Sequence, residues 1–145
     1  MGRGGHPRTV NDDRDLTHAD LIAVARTQLD HAYAPYSKFR MGAAVEAADG
    51  TVVGGAIVEN VSLGLAMCAE RVALFTTSAT GRRPVRLALS APKTSGTVTW
   101  PCGACLQVAL ELGGRNLVVV VGDDDNGPVE TSTVGELLPR GPKVR

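Results

Sequence analysis

The chain reads CAER at residues 68–71 and PCGAC at residues 101–105, and these two stretches decide which fold the sequence predicts. They contain Cys68, Cys102 and Cys105, the three cysteines of the chain. Each stretch lies at or near the start of a predicted helix, where free N–H groups and partial positive charge favour the thiolate form that binds metal. Because Cys102 and Cys105 are three residues apart at one helix start, both can reach one ion, and Cys68 can reach it from the other helix.

The number of cysteines distinguishes two kinds of metal site. Structural zinc sites normally use four protein ligands, whereas catalytic sites use three and keep one position for water. No fourth cysteine exists in the chain. The pattern therefore favours a catalytic Zn²⁺ site over a structural zinc knuckle or three unrelated buried cysteines. A non-catalytic module that zinc merely stabilises is the alternative from a different class.

Glu70 follows Cys68 by two residues and is the candidate for moving protons. A glutamate beside a metal ion can take a proton from water and give it to a leaving amine. Zinc lowers the pKa of a coordinated water towards neutrality, but three thiolates leave the site with excess negative charge, which weakens this effect. Arg71 and the two helix N-termini are expected to offset that charge as hydrogen-bond donors near the sulfurs.

Predicted helices and strands alternate along the chain after an opening hairpin. Apolar residues at helical spacing predict helices at 19–32, 65–79, 103–112 and 134–138. Short apolar runs predict strands at 41–48, 51–58, 85–90 and 117–121. This order predicts an α/β three-layer sandwich. The acidic run at 123–125 is interpreted as a solvated turn rather than a metal site.

Composition bounds the remaining possibilities. The chain has 145 residues, which suggests one domain at 16–139 between a disordered N-terminal tail at 1–15 and a C-terminal tail at 140–145. Its 15 basic and 15 acidic residues give no basic excess, and 3% aromatics leave few base-stacking platforms, so a nucleic-acid partner is not expected. No apolar run reaches the ~20 residues that span a membrane. Unpaired cysteines and the lack of an apolar leader predict a cytoplasmic protein.

In the order and spacing of its motifs, the chain resembles the small, zinc-dependent, homotetrameric cytidine deaminases. The resemblance runs from about residue 21 to residue 138 and includes YSKF at 36–39, VEN at 58–60 and ELLP at 136–139. It implies a cytidine-deaminase-like α/β/α sandwich on a five-stranded mixed sheet, with a small-molecule nucleoside as partner. The implied reaction is hydrolysis of cytidine or deoxycytidine to uridine or deoxyuridine in pyrimidine salvage, with release of ammonia.

The resemblance also implies roles for individual residues. Glu70 would protonate ring N3 and later the leaving amine, and the backbone N–H of Ala69 would bind the ring O2. Phe39 would stack near the base, and Glu59 would accept a hydrogen bond from a sugar hydroxyl. Pro101 would shape the pocket around the leaving group.

Three substrate-contact positions depart from the family pattern, and Leu106 replaces an arginine that is common between the last two motif positions. Ile57 replaces an asparagine that usually binds the ribose, and Leu63 replaces a tyrosine that usually reaches a neighbouring subunit's site. Arg140 lies where a phenylalanine usually packs on the base in a neighbour's pocket. Losing a polar partner for a buried hydroxyl costs roughly 1–3 kcal/mol, so we expect an intact catalytic centre with altered substrate contacts. A modified cytosine nucleoside of the blasticidin S type is the alternative substrate, with Arg140 facing a carboxylate or phosphate.

Overall fold

One mixed sheet forms the centre of the molecule, for which a computed structural model describes residues 16–144. Its strands are β1 (Gly42–Ala47), β2 (Val52–Ala56), β3 (Pro84–Ser90), β4 (Val118–Gly122) and β5 (Val129–Thr133). They lie in the order β2-β1-β3-β4-β5. The β3 and β4 strands are parallel, and the other neighbours are antiparallel. The disordered tail predicted at 1–15 falls outside the described residues.

Helices cover both faces of this sheet, as the alternating pattern predicts. The helices are α1 (His18–Thr27), α2 (Ala69–Ala79), α3 (Gly103–Gly113) and α4 (Val134–Leu137). On one face α1 packs on Ala44, Ala88 and Val120. On the other face, α2, α3 and α4 pack on the alternate strand residues, such as Leu89 and Val121. The predicted α/β/α sandwich with a five-stranded sheet is therefore confirmed, and none of the helices within residues 16–144 is long and apolar enough to cross a bilayer.

The first helix begins after a capping box and ends earlier than expected. Thr17 accepts a hydrogen bond from the backbone of Asp20, whose carboxylate accepts one from the backbone of Thr17, a reciprocal capping box. The helix predicted to residue 32 ends at Thr27 and continues as a 3-10 turn, Gln28–His31. It cannot continue further because the backbone of Tyr33 pairs with Val58.

The second helix also begins later than the apolar pattern indicates. It starts at Ala69 rather than at residue 65. Leu63–Leu65 form a separate 3-10 turn, and Met67 exchanges two backbone hydrogen bonds with Val58, at 2.9 and 3.0 Å. This pairing with a residue distant in sequence keeps the chain extended up to Cys68, which thereby becomes the N-cap residue of α2.

No apolar pattern marks the fifth strand, which only the resemblance implied. Residues 129–133 read VETST, and their side chains are mostly exposed. The strand forms because every one of its residues pairs in antiparallel register with the apolar β4 strand. It is an edge strand with a polar outer surface, so hydrophobic patterning does not reveal it.

Gly55 on β2 lets α2 approach the sheet very closely. A Cβ atom at this position would lie 2.7 Å from Ala69 O and 2.7 Å from Ala73 N. The first turn of α2 therefore rests directly on the strand backbone. This contact fixes the height of the Cys68 end of α2 above the sheet.

The C-terminal segment that was predicted as a tail runs back along α3. Gln107 Nε2 donates to Pro142 O at 2.8 Å, and Lys143 Nζ donates to Glu111 O at 3.2 Å. Arg115 Nη1 donates to Pro139 O at 2.9 Å. These bonds place the segment that includes Arg140 beside α3.

Candidate metal centre and active site

The starts of α2 and α3 bring the three cysteines together. Cys68 is the N-cap residue of α2, Cys102 is the N-cap residue of α3, and Cys105 lies in the first turn of α3. Their Sγ atoms all lie within 4.8 Å of one another, and those of Cys102 and Cys105 are 3.4 Å apart. Sulfurs bound at about 2.3 Å to one tetrahedral ion lie roughly 3.8 Å apart, so this spacing fits zinc.

The surroundings of Cys68 favour its thiolate form. A hydrogen bond from Cys105 and the nearby charge of Arg71 lower the pKa of Cys68 to about 5. The pKa of the Cys105 thiol is raised, because its proton is the one shared with Cys68 and because it is buried. A metal ion that displaces this proton would hold both sulfurs as thiolates, as zinc requires.

Arg71 supplies the positive charge expected beside the cluster. Its Nη2 atom lies 3.6 Å from Cys68 Sγ. This hydrogen bond raises the pKa of the Arg71 guanidinium above its ordinary value, so the side chain stays charged. A charged donor at this distance offsets part of the negative charge that three thiolates create.

Glu70 is fully buried beside the sulfurs. Neither carboxylate oxygen has a hydrogen-bond partner within residues 16–144. Burial raises the pKa of Glu70 to about 7, and the negative charge of Cys68 adds to this effect. An unpaired buried carboxylate is costly, and a group with a pKa near 7 can both take and give a proton at neutral pH.

This donor set fits a zinc ion of the catalytic type. The three sulfurs form the cluster, and no further histidine, cysteine or carboxylate within residues 16–144 completes it as a fourth ligand. The partner-free oxygens of Glu70 lie next to it, where a structural zinc site has no need of a carboxylate. The arrangement therefore has the open coordination of sites that activate water.

A loop at residues 33–40 carries Phe39 and is tied to Glu59. Phe39 is partly buried and packs against the larger core cluster. The carboxylate of Glu59 accepts hydrogen bonds from Tyr36 N at 3.0 Å, from Ser37 N at 3.2 Å and from Ser37 Oγ. The Ser37 hydroxyl holds the pKa of Glu59 below its ordinary value.

The other residues named from the resemblance are divided between core and surface. Ala69 is the first residue of α2 and, like Pro101, is buried beside the cysteines. Ile57 is 9% exposed and belongs to the larger core cluster. Leu63 is 84% exposed, and Arg140 is also exposed.

Sequence reasoning did not single out Ser37, which the structure places against Glu59. Its hydroxyl donates to Glu59 and accepts a hydrogen bond from Phe39 N at 3.0 Å. The YSKF motif contained it, but no spacing rule connects a serine with a glutamate so far along the chain. Only the fold brings the two together.

Comparisons with known proteins agree with this geometry. The family model for the cytidine and deoxycytidylate deaminase zinc-binding region matches residues 15–121. A cytidine deaminase of Halalkalibacterium halodurans is 44% identical over 119 residues, which cover 82% of this chain and 89% of that protein. A cytidine deaminase of Mycobacterium tuberculosis strain H37Rv is 44% identical over 108 residues, which cover 74% and 76%. The crystal structure of cytidine deaminase from Burkholderia pseudomallei superposes with a TM-score of 0.80 at 44% identity, covering 86% of this chain and 98% of that one. The chain thus belongs to the family of cytidine and deoxycytidylate deaminases and carries its zinc-binding region.

Proposed function

We propose that this protein is a zinc-dependent hydrolase that deaminates cytidine or deoxycytidine to uridine or deoxyuridine and releases ammonia. The observation that carries the proposal is the buried, partner-free carboxylate of Glu70 beside three converging sulfurs. The curated relatives, which are named cytidine deaminases, support the same substrate. Two alternatives are less well supported. A blasticidin S deaminase does not account for relatives that are named cytidine deaminases, and a non-catalytic zinc module does not account for the buried carboxylate of Glu70.

In this proposal Cys68, Cys102 and Cys105 hold the metal. A zinc ion held by these residues would supply Lewis-acid chemistry, making a water molecule more acidic and more reactive. Arg71 stabilises the thiolate of Cys68 across 3.6 Å. The two helix N-termini add partial positive charge at the same place.

Glu70 moves the protons of the reaction. Its carboxylate takes a proton from water and delivers it to ring N3 while the water oxygen bonds to C4. Glu70 then takes the remaining proton of the hydroxyl added to C4 and gives it to the amino nitrogen, so that the C4–N bond breaks, the C4 carbonyl forms and ammonia leaves. The raised pKa of Glu70, about 7, suits a group that must accept and donate within one cycle.

Substrate binding is assigned to groups around this centre. The N–H of Ala69 is at the first position of α2, where no intrahelical acceptor exists, and it is free to donate to the ring O2. Phe39 stacks on the base, and Pro101 closes the side of the leaving amine. Glu59 uses its remaining acceptor capacity for a sugar hydroxyl.

The protein is further proposed to be a cytoplasmic homotetramer that acts in pyrimidine salvage. Val61, Leu63 and Leu65 are 79%, 84% and 67% exposed, and a cluster of exposed apolar side chains is typical of a surface that another subunit covers. Leu63→Asp is expected to weaken the assembly, which sedimentation velocity measures. Val129→Asp at the sheet edge is the control, and a wild-type protein that sediments as a monomer would contradict the tetramer.

The substrate is tested directly. Zinc-loaded protein is incubated with cytidine, deoxycytidine and blasticidin S, and loss of the cytosine absorbance is followed together with ammonia release. We expect turnover of cytidine and deoxycytidine. If the zinc-loaded protein converts none of the three compounds, the proposal is wrong, and conversion of blasticidin S alone would transfer it to that class.

A further inference from the structure

The carboxylate of Glu59 is largely occupied by its own protein. Oε1 accepts the backbone N–H groups of Tyr36 and Ser37, and Oε2 accepts the hydroxyl of Ser37. A carboxylate offers about four acceptor positions, so three protein donors leave roughly one for a ligand. Glu59 therefore organises the loop at 33–40 at the same time as it faces the proposed sugar.

Ser37 links this carboxylate to the aromatic residue. Its Oγ atom donates to Glu59 and accepts the N–H of Phe39 at 3.0 Å. The hydrogen bonds thus run without interruption from Glu59 through Ser37 to the backbone that carries the Phe39 ring.

The backbone of the residue between Ser37 and Phe39 has a conformation that is unfavourable by itself. Lys38 has φ of 62°, the left-handed region that ordinary residues avoid. Such a conformation persists only where surrounding contacts determine it, and it clusters at functional sites. The bonds of Ser37 on one side and the bond from Lys38 N to Ala34 O, at 3.0 Å, on the other provide those contacts.

Backbone hydrogen bonds also connect the loop at 33–40 to the part of the site that contains the cysteines. Glu59 N donates to Tyr33 O at 2.8 Å, and Met67 N donates to Val58 O at 2.9 Å. Val58 is therefore paired with Tyr33, at the start of the loop, on one side and with Met67, the residue before Cys68, on the other. A displacement of the loop relative to the sulfurs must break this pairing.

We propose that Ser37 is a positioning residue of the substrate site, whose hydroxyl couples Glu59 to Phe39 and so fixes the acceptor for the sugar at a set distance from the ring that stacks on the base. The ligand in this inference, a cytosine nucleoside, rests on the proposed function. Ser37 itself need not touch the nucleoside. It acts by keeping the loop in its binding-competent conformation before the ligand arrives.

A residue with this role affects binding more than chemistry. If the loop is competent for only a fraction of the time, the apparent affinity falls by that fraction, while the complex, once formed, is unchanged. Loss of the Ser37 hydroxyl should therefore raise KM and leave kcat nearly constant. Loss of a group that reacts with the substrate would lower kcat instead.

The first experiment compares Ser37→Ala with Ser37→Thr in the zinc-loaded enzyme. We expect Ser37→Ala to raise KM for cytidine about tenfold, the lower range for a hydrogen bond to a charged group, with kcat within about twofold and zinc content unchanged. Ser37→Thr keeps the hydroxyl and should restore KM. Ser78→Ala, an exposed serine late in α2, is the matched control. An unchanged KM in Ser37→Ala, or a Thr variant as impaired as the Ala variant, would overturn the inference.

A second measurement needs neither a substrate nor a variant. Amide hydrogen exchange of the wild-type protein should show protection at Tyr36, Ser37 and Phe39, whose N–H groups are donated within this assembly, although the loop is exposed. Unprotected amides at these positions would overturn the inference even if cytidine is turned over. Protected amides in a protein that does not convert cytidine would leave the loop assembly standing and remove the proposed function instead.

Discussion

The metal end of the site, formed by the three cysteines and Glu70, and the loop end, formed by residues 33–40 and Glu59, are held in place differently. Glu70 and Cys105 are completely buried at the starts of helices that pack on the sheet. Tyr36, by contrast, is 57% exposed, and its loop is held by hydrogen bonds to Glu59. Packing in the core therefore positions the residues that carry out the chemistry, whereas a few polar contacts position the residues that recognise the substrate. We therefore expect substitutions at the metal end to change stability or kcat, and those at the loop end to change KM.

Removing a buried metal ligand should have the largest effect. In Cys105→Ser the hydroxyl does not ionise near neutral pH, so we expect zinc content to fall at least about tenfold and turnover to disappear. Loss of an ion that binds the folded state also lowers the free energy of unfolding, by about 3–4 kcal/mol if zinc is present at several hundred to a thousand times its dissociation constant. Metal analysis and thermal melts measure both. Chelator-treated wild-type protein should melt at the same temperature as the variant. A variant that holds one zinc per chain would contradict the ligand assignment.

Glu70→Gln should separate activity from stability at the same end of the site. The amide keeps the shape of the side chain but cannot carry protons, so turnover should fall about 10²–10⁴-fold. Zinc content should not change, and the free energy of unfolding should stay the same or rise, because a buried carboxylate without partners has been removed. Steady-state kinetics, metal analysis and urea unfolding give the three values. Glu111→Gln on the exposed side of α3 is the control, and near-normal turnover in Glu70→Gln would exclude Glu70 as the proton carrier.

Substitutions of two glycines test whether close packing against the sheet positions the metal end. A Cβ at Gly55 would lie 2.7 Å from backbone atoms of α2, whereas a Cβ at Gly64 would meet nothing within 4 Å. Gly55→Ala should cost about 1–3 kcal/mol of unfolding free energy and weaken zinc binding, because the Cys68 end of α2 must move. Gly64→Ala, in the exposed 3-10 turn before α2, should change stability by less than about 0.5 kcal/mol. Urea unfolding and zinc competition with a chelator measure the pair, and equal effects at the two glycines would contradict the comparison.

The sequence predicted the convergence of the three cysteines because local rules govern that end of the site. Ligand spacing, helix starts and the position of Glu70 two residues after Cys68 are all properties of short stretches. The α1 cap and the apolar β4 strand were predictable for the same reason. Short-range chemistry decides these features, so a single chain without its fold already shows them.

The parts that failed depend on contacts between distant residues. The pairing of Met67 with Val58 delays the start of α2, and the pairing of residues 129–133 with β4 creates a strand from a polar sequence. The bond between Ser37 and Glu59 has the same origin. None of these partners is close in sequence, so hydrophobic periodicity and capping rules contain no information about them.

Lys38 offers the smallest and most selective test of the loop end. Its left-handed backbone, φ of 62°, tolerates asparagine but strongly disfavours a β-branched residue. Lys38→Asn and Lys38→Val both remove the charge near Glu59, so they differ mainly in backbone preference. If Val costs about 1 kcal/mol more than Asn in this conformation, KM for cytidine should be about fivefold higher in Lys38→Val than in Lys38→Asn, with equal kcat and equal zinc content. Steady-state kinetics on the two zinc-loaded variants decide the point. Equal KM values would show that the loop adopts another conformation when it binds, and a lower kcat in Lys38→Val would mean that the loop also reaches the chemical step, which removes the division between the two ends.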